Sequence, residues 1–97
     1  LNSEKGRVVS ALRATSNITL NTTYDNVFAD TDGGAFTITL PAGVNGTKYR
    51  IINCGSSGYD VTIAPTGAEK ITGANASISL PDSDIIILVY QSTEGWW

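Results

Sequence analysis

Apolar and polar positions alternate with a period of two along most of this chain. Phe36, Ile38 and Leu40 alternate with Thr37 and Thr39, and Ile78 and Leu80 alternate with Ser77 and Ser79. A weaker copy of the phrase stands at Asn17-Ile18-Thr19-Leu20. Successive side chains of a strand point to opposite faces, so each phrase predicts a strand with one buried and one polar face. Both complete copies stop at a proline, Pro41 and Pro81, which has no N–H to donate to a continuing ladder. A polar turn and a second apolar run follow each proline: Tyr49-Arg50-Ile51-Ile52 in one case, residues 85–90 in the other. Further strands are predicted at 27–29, 48–53 and 61–63, with a brief one at Ile71 and a closing edge strand at Gly95-Trp96-Trp97. Asp30-Thr31-Asp32-Gly33-Gly34 and Gly55-Ser56-Ser57-Gly58 are turn sequences. The copies of the phrase lie about 20 and then about 40 residues apart, and the segment 61–65 falls between them. That uneven spacing argues against a solenoid repeat and for recurring strand-and-corner units within one domain.

Residues 1–16 differ. Glu4-Lys5-Gly6-Arg7 is polar, and Val8, Ala11 and Leu12 fit helical spacing between Gly6 and Thr15-Ser16-Asn17. The expectation is an N-terminal connector or arm, a short helix or extended, followed by a single β domain over 17–97. Thr, Ile and Val favour pleated structure, and Gly or Pro interrupts every other candidate helical window. The fold class is therefore all-β: a compact antiparallel β-sandwich, jelly-roll-like or prism-like. A packing partner is called for by Ile85-Ile86-Ile87-Leu88-Val89-Tyr90, which is apolar on both faces. With one face in water such a strand is an aggregation hazard, so one face is expected in the core and the other against another layer or subunit. Ile86, Leu88, Tyr90 and Trp96 are assigned to the subunit contact. Trp96 and Trp97 are adjacent and point to opposite faces, so only one of them fits in a small core.

Composition narrows the chemistry. The chain has 97 residues, enough for one compact domain, and at 41% hydrophobic and 15% charged it is too apolar for a disordered segment. Net charge is −3 with scattered cations, which lacks the basic stripe of a nucleic-acid binder. The longest apolar run is far too short to span a bilayer, so no membrane insertion is expected. Cys54 is the only cysteine, which excludes an intrachain disulfide; its ordinary reading is a small buried apolar side chain. With no histidine, Ser-His and Cys-His triads and His-rich metal sites are excluded. A glycosidase-type carboxylate pair is what remains, with Asp25, Asp30, Asp32, Asp60 and Glu69 as candidates. All lie in or beside predicted turns, where Asp bonds locally, and no catalytic residue or cofactor is assigned. Asp30-Thr31-Asp32-Gly33 has the start of a calcium loop, but Gly34, Phe36 and Ile38 occupy later ligand positions and Pro41 replaces the closing Glu. No metal is expected. The Asn-X-Ser/Thr phrases at Asn17, Asn21, Asn45 and Asn75 are what an Asn- and Thr-rich chain produces by chance. Among the aromatic residues, Tyr49, Tyr90 and one tryptophan are expected in the core or an interface. Tyr59 and Trp97 are assigned as ligand-binding residues able to stack on sugar rings.

Taken together, these phrases resemble small domains of bacteriophage tail fibres and tailspikes. The resemblance is carried by Tyr24-Asp25-Asn26-Val27-Phe28-Ala29-Asp30, Gly33-Gly34, Phe36 to Pro41, Gly46-Thr47-Lys48-Tyr49-Arg50-Ile51-Ile52-Asn53, Val61-Thr62-Ile63-Ala64-Pro65, Ile71-Thr72-Gly73 and the ending Gly95-Trp96. It spans residues 17–97, and similar phrases occur in head fibres and capsid decoration proteins. It implies a non-enzymatic virion protein on the particle surface, a homotrimer in contact with other virion proteins and with a host-surface glycan. A free-standing carbohydrate-binding module, a capsid decoration or head-fibre protein, and a glycosidase fragment are the alternatives.

Overall fold

The computed structural model describes residues 11–97, which form nine strands and no helix. These are β1 (Ala11–Ala14), β2 (Ile18–Thr19), β3 (Asn26–Ala29), β4 (Phe36–Thr39), β5 (Lys48–Asn53), β6 (Val61–Ala64), β7 (Ile78–Leu80), β8 (Ile85–Gln91) and β9 (Gly95–Trp96). They build two sheets, ordered β1-β3-β5-β8-β9 and β2-β4-β6-β7. The all-β expectation holds for these residues, and the strand boundaries at 48–53 and 61–64 follow the alternating pattern closely.

Strand direction departs from the antiparallel expectation. β1, β3 and β5 run parallel in the first sheet, and β2, β4 and β6 run parallel in the second. The chain thus alternates between sheets for three successive passes before β7 turns back on β6 and β8 returns antiparallel on β5. Both sheets are mixed. The pattern of apolar positions is the same for either direction; a connection that crosses to the opposite sheet, rather than a tight hairpin, brings the chain back parallel to its earlier pass.

This winding also corrects the argument from uneven spacing. Ile18, Ile38, Ile63 and Ile78 are consecutive partners across the second sheet. The segment at Val61 is therefore the third member of the ladder, and the short phrases stack on one another. Connections of different length take up the unequal spacing, while the inward apolar face keeps the register, because a one-residue slip would turn every isoleucine outward.

Inward residues of both sheets form a single buried cluster. The first sheet contributes Ala14, Val27, Ala29, Tyr49, Ile51, Leu88 and Trp96; the second contributes Phe36, Ile38, Val61, Ile63 and Leu80. Leu20, Leu40 and Ile71, just outside the strands, complete it. Pro41, Pro65 and Pro81 each stand within two residues of a strand end, as a missing N–H requires. Ala11–Ala14, placed by sequence in the connector, are paired in register with β3 and form the sheet edge. Val8 of the same segment lies outside the described residues.

Two features hold the ends of the cluster. At one end Asn53 is fully buried, and its side chain is fully engaged: Oδ1 accepts from the Thr31 hydroxyl and the Gly55 N–H, both at 3.0 Å. Its Nδ2 donates to the carbonyls of Leu80 (2.9 Å) and Tyr59 (3.1 Å). At the other end Trp96 packs between Tyr49 and Tyr90, with ring centroids 5.7 and 5.1 Å apart. Gly43 lies so close to Tyr90 that an added Cβ would fall 2.1 Å from the ring. Cys54, expected in the interior, is exposed: Asn53 takes the inward place, and alternation turns the next side chain out.

Candidate functional site

The outer faces of the two sheets differ in chemistry. On the second sheet Thr37, Thr62 and Ser79 are aligned, as are Thr19, Thr39 and Ala64, giving a small-residue polar surface. On the first sheet the outward residues of β8 are Ile85, Ile87 and Val89, respectively 49%, 48% and 41% exposed. Ile52 is the cross-strand partner of Ile85, and Phe28, 38% exposed, is the partner of Ile52. The Trp97 N–H donates to the Val89 carbonyl at 2.9 Å, which extends the apolar stripe to the chain end. The both-faced apolar character of β8 is thus expressed as a core face and an uncovered face.

Parity assigns the two faces opposite to the sequence reading. Leu88 and Trp96 are fully buried within the chain, and Ile86 and Tyr90 pack against the same cluster. Full burial closes Leu88 and Trp96 to a partner, Ile86 and Tyr90 are half-buried, and the outward set is Ile85, Ile87, Val89 and Trp97. Alternation shows that two faces exist, but which one meets the core depends on the partner strand, and Tyr49 beside Leu88 with Ile51 beside Ile86 decides it.

Tyr59 and Trp97 are both exposed, 46% and 56%, but they do not form one platform. Trp97 sits beside Val89, the partner of Lys48 at the start of β5. The Tyr59 carbonyl is bonded to Asn53, the last residue of β5. At ~3.3 Å per residue, the strand between them separates the two by roughly 16 Å. Each aromatic is held individually. The Trp97 indole N–H donates to the Glu94 carbonyl at 3.0 Å. The Tyr59 loop is tied by Asp32, which accepts from the Ser56 N–H (2.7 Å) and the Ser57 hydroxyl (3.0 Å), and by Asp82, which accepts from the Gly58 N–H (2.7 Å). These donors, the Ser56 N–H foremost, hold the Asp32 carboxyl below the usual carboxylate range.

Three of the other candidate carboxylates are also engaged locally, whereas Asp60 has no side-chain partner among the described residues. Asp30 pairs with Arg13, the one ion pair among the described residues. Asp25 accepts from the Asn26 amide at 3.1 Å. Glu69 accepts from the Gly43 N–H at 2.7 Å and stands 3.4 Å from the Trp96 indole nitrogen. Among the described residues no group of three or more acidic or cysteine side chains is arranged for a metal ion.

A groove the sequence reading did not single out lies at the start of β5 on the outer face of the first sheet. It encloses about 610 Å³ and is lined by Tyr24, Asp25, Asn26, Lys48, Arg50 and Ile87, with Thr22, Thr47 and Tyr49 completing its wall. Cross-strand register puts Asn26, Arg50 and Ile87 side by side. Tyr49 is buried below and donates to the Asn21 carbonyl at 2.8 Å. Burial, with Tyr24 nearby, pushes its phenol above the usual range. The available signal was the charged pair Lys48 and Arg50 on a strand with no other charged residue, but the residues facing them come from two other strands and a distant turn. No family model matches the sequence, and no curated protein is significantly similar to it.

Proposed function

We propose that this chain is a non-catalytic structural domain of a bacteriophage appendage, of the tail-fibre or tailspike kind, which self-associates as a trimer and attaches the particle to its host surface. The observation that carries the reading is the uncovered apolar stripe of Ile85, Ile87, Val89 and Trp97, continued by Ile52 and Phe28. A contiguous apolar patch on a small domain marks an interaction surface, and a 97-residue chain gains stability by burying it. Resemblance of residues 17–97 to virion appendage domains supplies the biological setting. The carboxylates of Asp30, Asp32, Glu69 and Asp82 are occupied in local contacts, consistent with a scaffold role.

The test is the native mass in solution. Sedimentation of the purified chain is expected to give three times the chain mass at micromolar concentration. A monomer that stays soluble and folded under those conditions would refute the assembly. A second reading, a free-standing carbohydrate-binding module, is favoured by the polar groove beside β5 and requires the monomer.

A further inference from the structure

We propose that the groove of Tyr24, Asp25, Asn26, Lys48 and Arg50 is a binding site for an acidic saccharide, with Arg50 receiving the sugar carboxylate. The proposal names a ligand class for the carbohydrate-binding reading and rests on it, since Ile87 belongs both to this groove and to the stripe that a trimer would bury.

Three observations converge. Arg50 lines the groove, half-buried, between Asn26 on β3 and Ile87 on β8. Among the described residues its guanidinium has no ion pair and no side-chain hydrogen bond, whereas Arg13 is paired with Asp30. A guanidinium presents a planar fork of N–H donors that matches a carboxylate in two-point contact.

Charge in the groove also runs against the molecule as a whole. Lys48 and Arg50 outnumber the single carboxylate of Asp25 in the lining of a chain whose net charge is −3. A locally positive groove on an acidic protein selects an anionic group and steers its approach. The rest of the lining suits a sugar ring rather than a bare anion. Tyr24 is half-buried, packed on the core, and offers an aromatic wall for the apolar face of a pyranose. Asp25 uses one oxygen to accept from Asn26 and has the other to accept a hydroxyl. Thr22, Thr47 and Asn26 add short polar groups around the rim. The volume, about 610 Å³, is in the range of small-molecule sites.

The experiment is a titration of the ¹⁵N-labelled full chain with trigalacturonate, with maltotriose as the neutral control and sodium acetate as the bare carboxylate. Trigalacturonate is expected to give saturating shifts at the backbone amides of Tyr24, Asp25, Thr47 and Arg50, and to bind about tenfold or more tightly than either control. Arg50→Gln is expected to weaken it about tenfold with the remaining amide spectrum unchanged, since the side chain lies outside the core. Arg50→Lys, which keeps the charge and removes the fork, is expected to fall between the two. Equal affinity for maltotriose, undiminished binding by Arg50→Gln, or no saturating shift at the groove amides would each overturn the proposal. A chain that binds trigalacturonate yet sediments as a monomer keeps the groove and removes the assembly reading, so the two failures are distinguishable.

Discussion

Asn53 does for this fold what an apolar residue at its position could not. Its inward neighbours in the first sheet are Ala14 and Ala29, small residues that leave room for a polar side chain and for the turn bearing Thr31. Four hydrogen bonds from one amide join the Thr31 turn, the loop after β5 and the end of β7. Gly55 is required beside it, since an added Cβ would fall 2.2 Å from the Thr31 hydroxyl. Removing the amide would leave several buried donors and acceptors unpaired. Asn53→Ala is therefore expected to cost about 3 kcal/mol, read as a lowered urea midpoint with unchanged slope. A loss under about 1 kcal/mol would show that water replaces the amide at this site. Asn53 was legible in the sequence only as the last residue of a strand. Alternation puts it on the face of Tyr49 and Ile51, but nothing local shows that an amide can be buried there, because its partners come from three other segments.

At the scale of elements, the loop over residues 54–60 shows how sequence-local turn chemistry becomes a tertiary clamp. Gly55-Ser56-Ser57-Gly58 is recognisable as a turn, but its shape is imposed by Asp32 and Asp82 from two other loops. The clamp is acid-sensitive, and its sign follows from the Asp32 carboxyl. Its folded pKa lies below the ordinary 3.8, so the charged form is the one the folded state favours. The contribution is fully present above 3.8 and is lost as pH falls through the lowered folded value. NMR titration of the Asp32 carboxyl is expected to give a midpoint below 3.8, with the Ser56 amide resonance moving in step. In Asp32→Asn the Ser56 resonance should no longer report that titration. A midpoint at or above 3.8 would mean that Asp32 does not hold the loop in solution. The strands themselves were far more legible. Phe36–Thr39, Lys48–Asn53 and Val61–Ala64 follow from alternation bounded by Gly, Pro and polar turns, since a half-buried strand needs only a local pattern to declare itself.

For the whole molecule, the two faces of β8 carry the decisive contrast. Leu88 is in the core beside Tyr49, whereas Ile87 lies outside beside Arg50. A charge at Leu88 would be buried without a partner, a cost of several kcal/mol against the marginal stability of a small domain. Leu88→Asp is expected to be unfolded by circular dichroism. Ile87→Asp is expected to keep the native spectrum and to sediment as a monomer. If Ile87→Asp stayed trimeric, the outer face of the first sheet would not be the contact, and the other exposed surfaces would have to be considered.

The sequence by itself determined that this is a strand-rich chain, where its principal strands lie, that Trp96 and Trp97 face apart, and that the run ending at Tyr90 has more apolar surface than one layer can cover. Each of these depends on neighbours along the chain. Tertiary structure alone decided that the strands coil between two sheets in parallel passes, that the isoleucines of the repeated phrase form one ladder, and that Ile87 rather than Leu88 faces out. It also brought Tyr24, Asn26 and Arg50 to one groove from separate segments. A period of two records that a strand has two faces; only the strand beside it and the layer beneath it record which face is which.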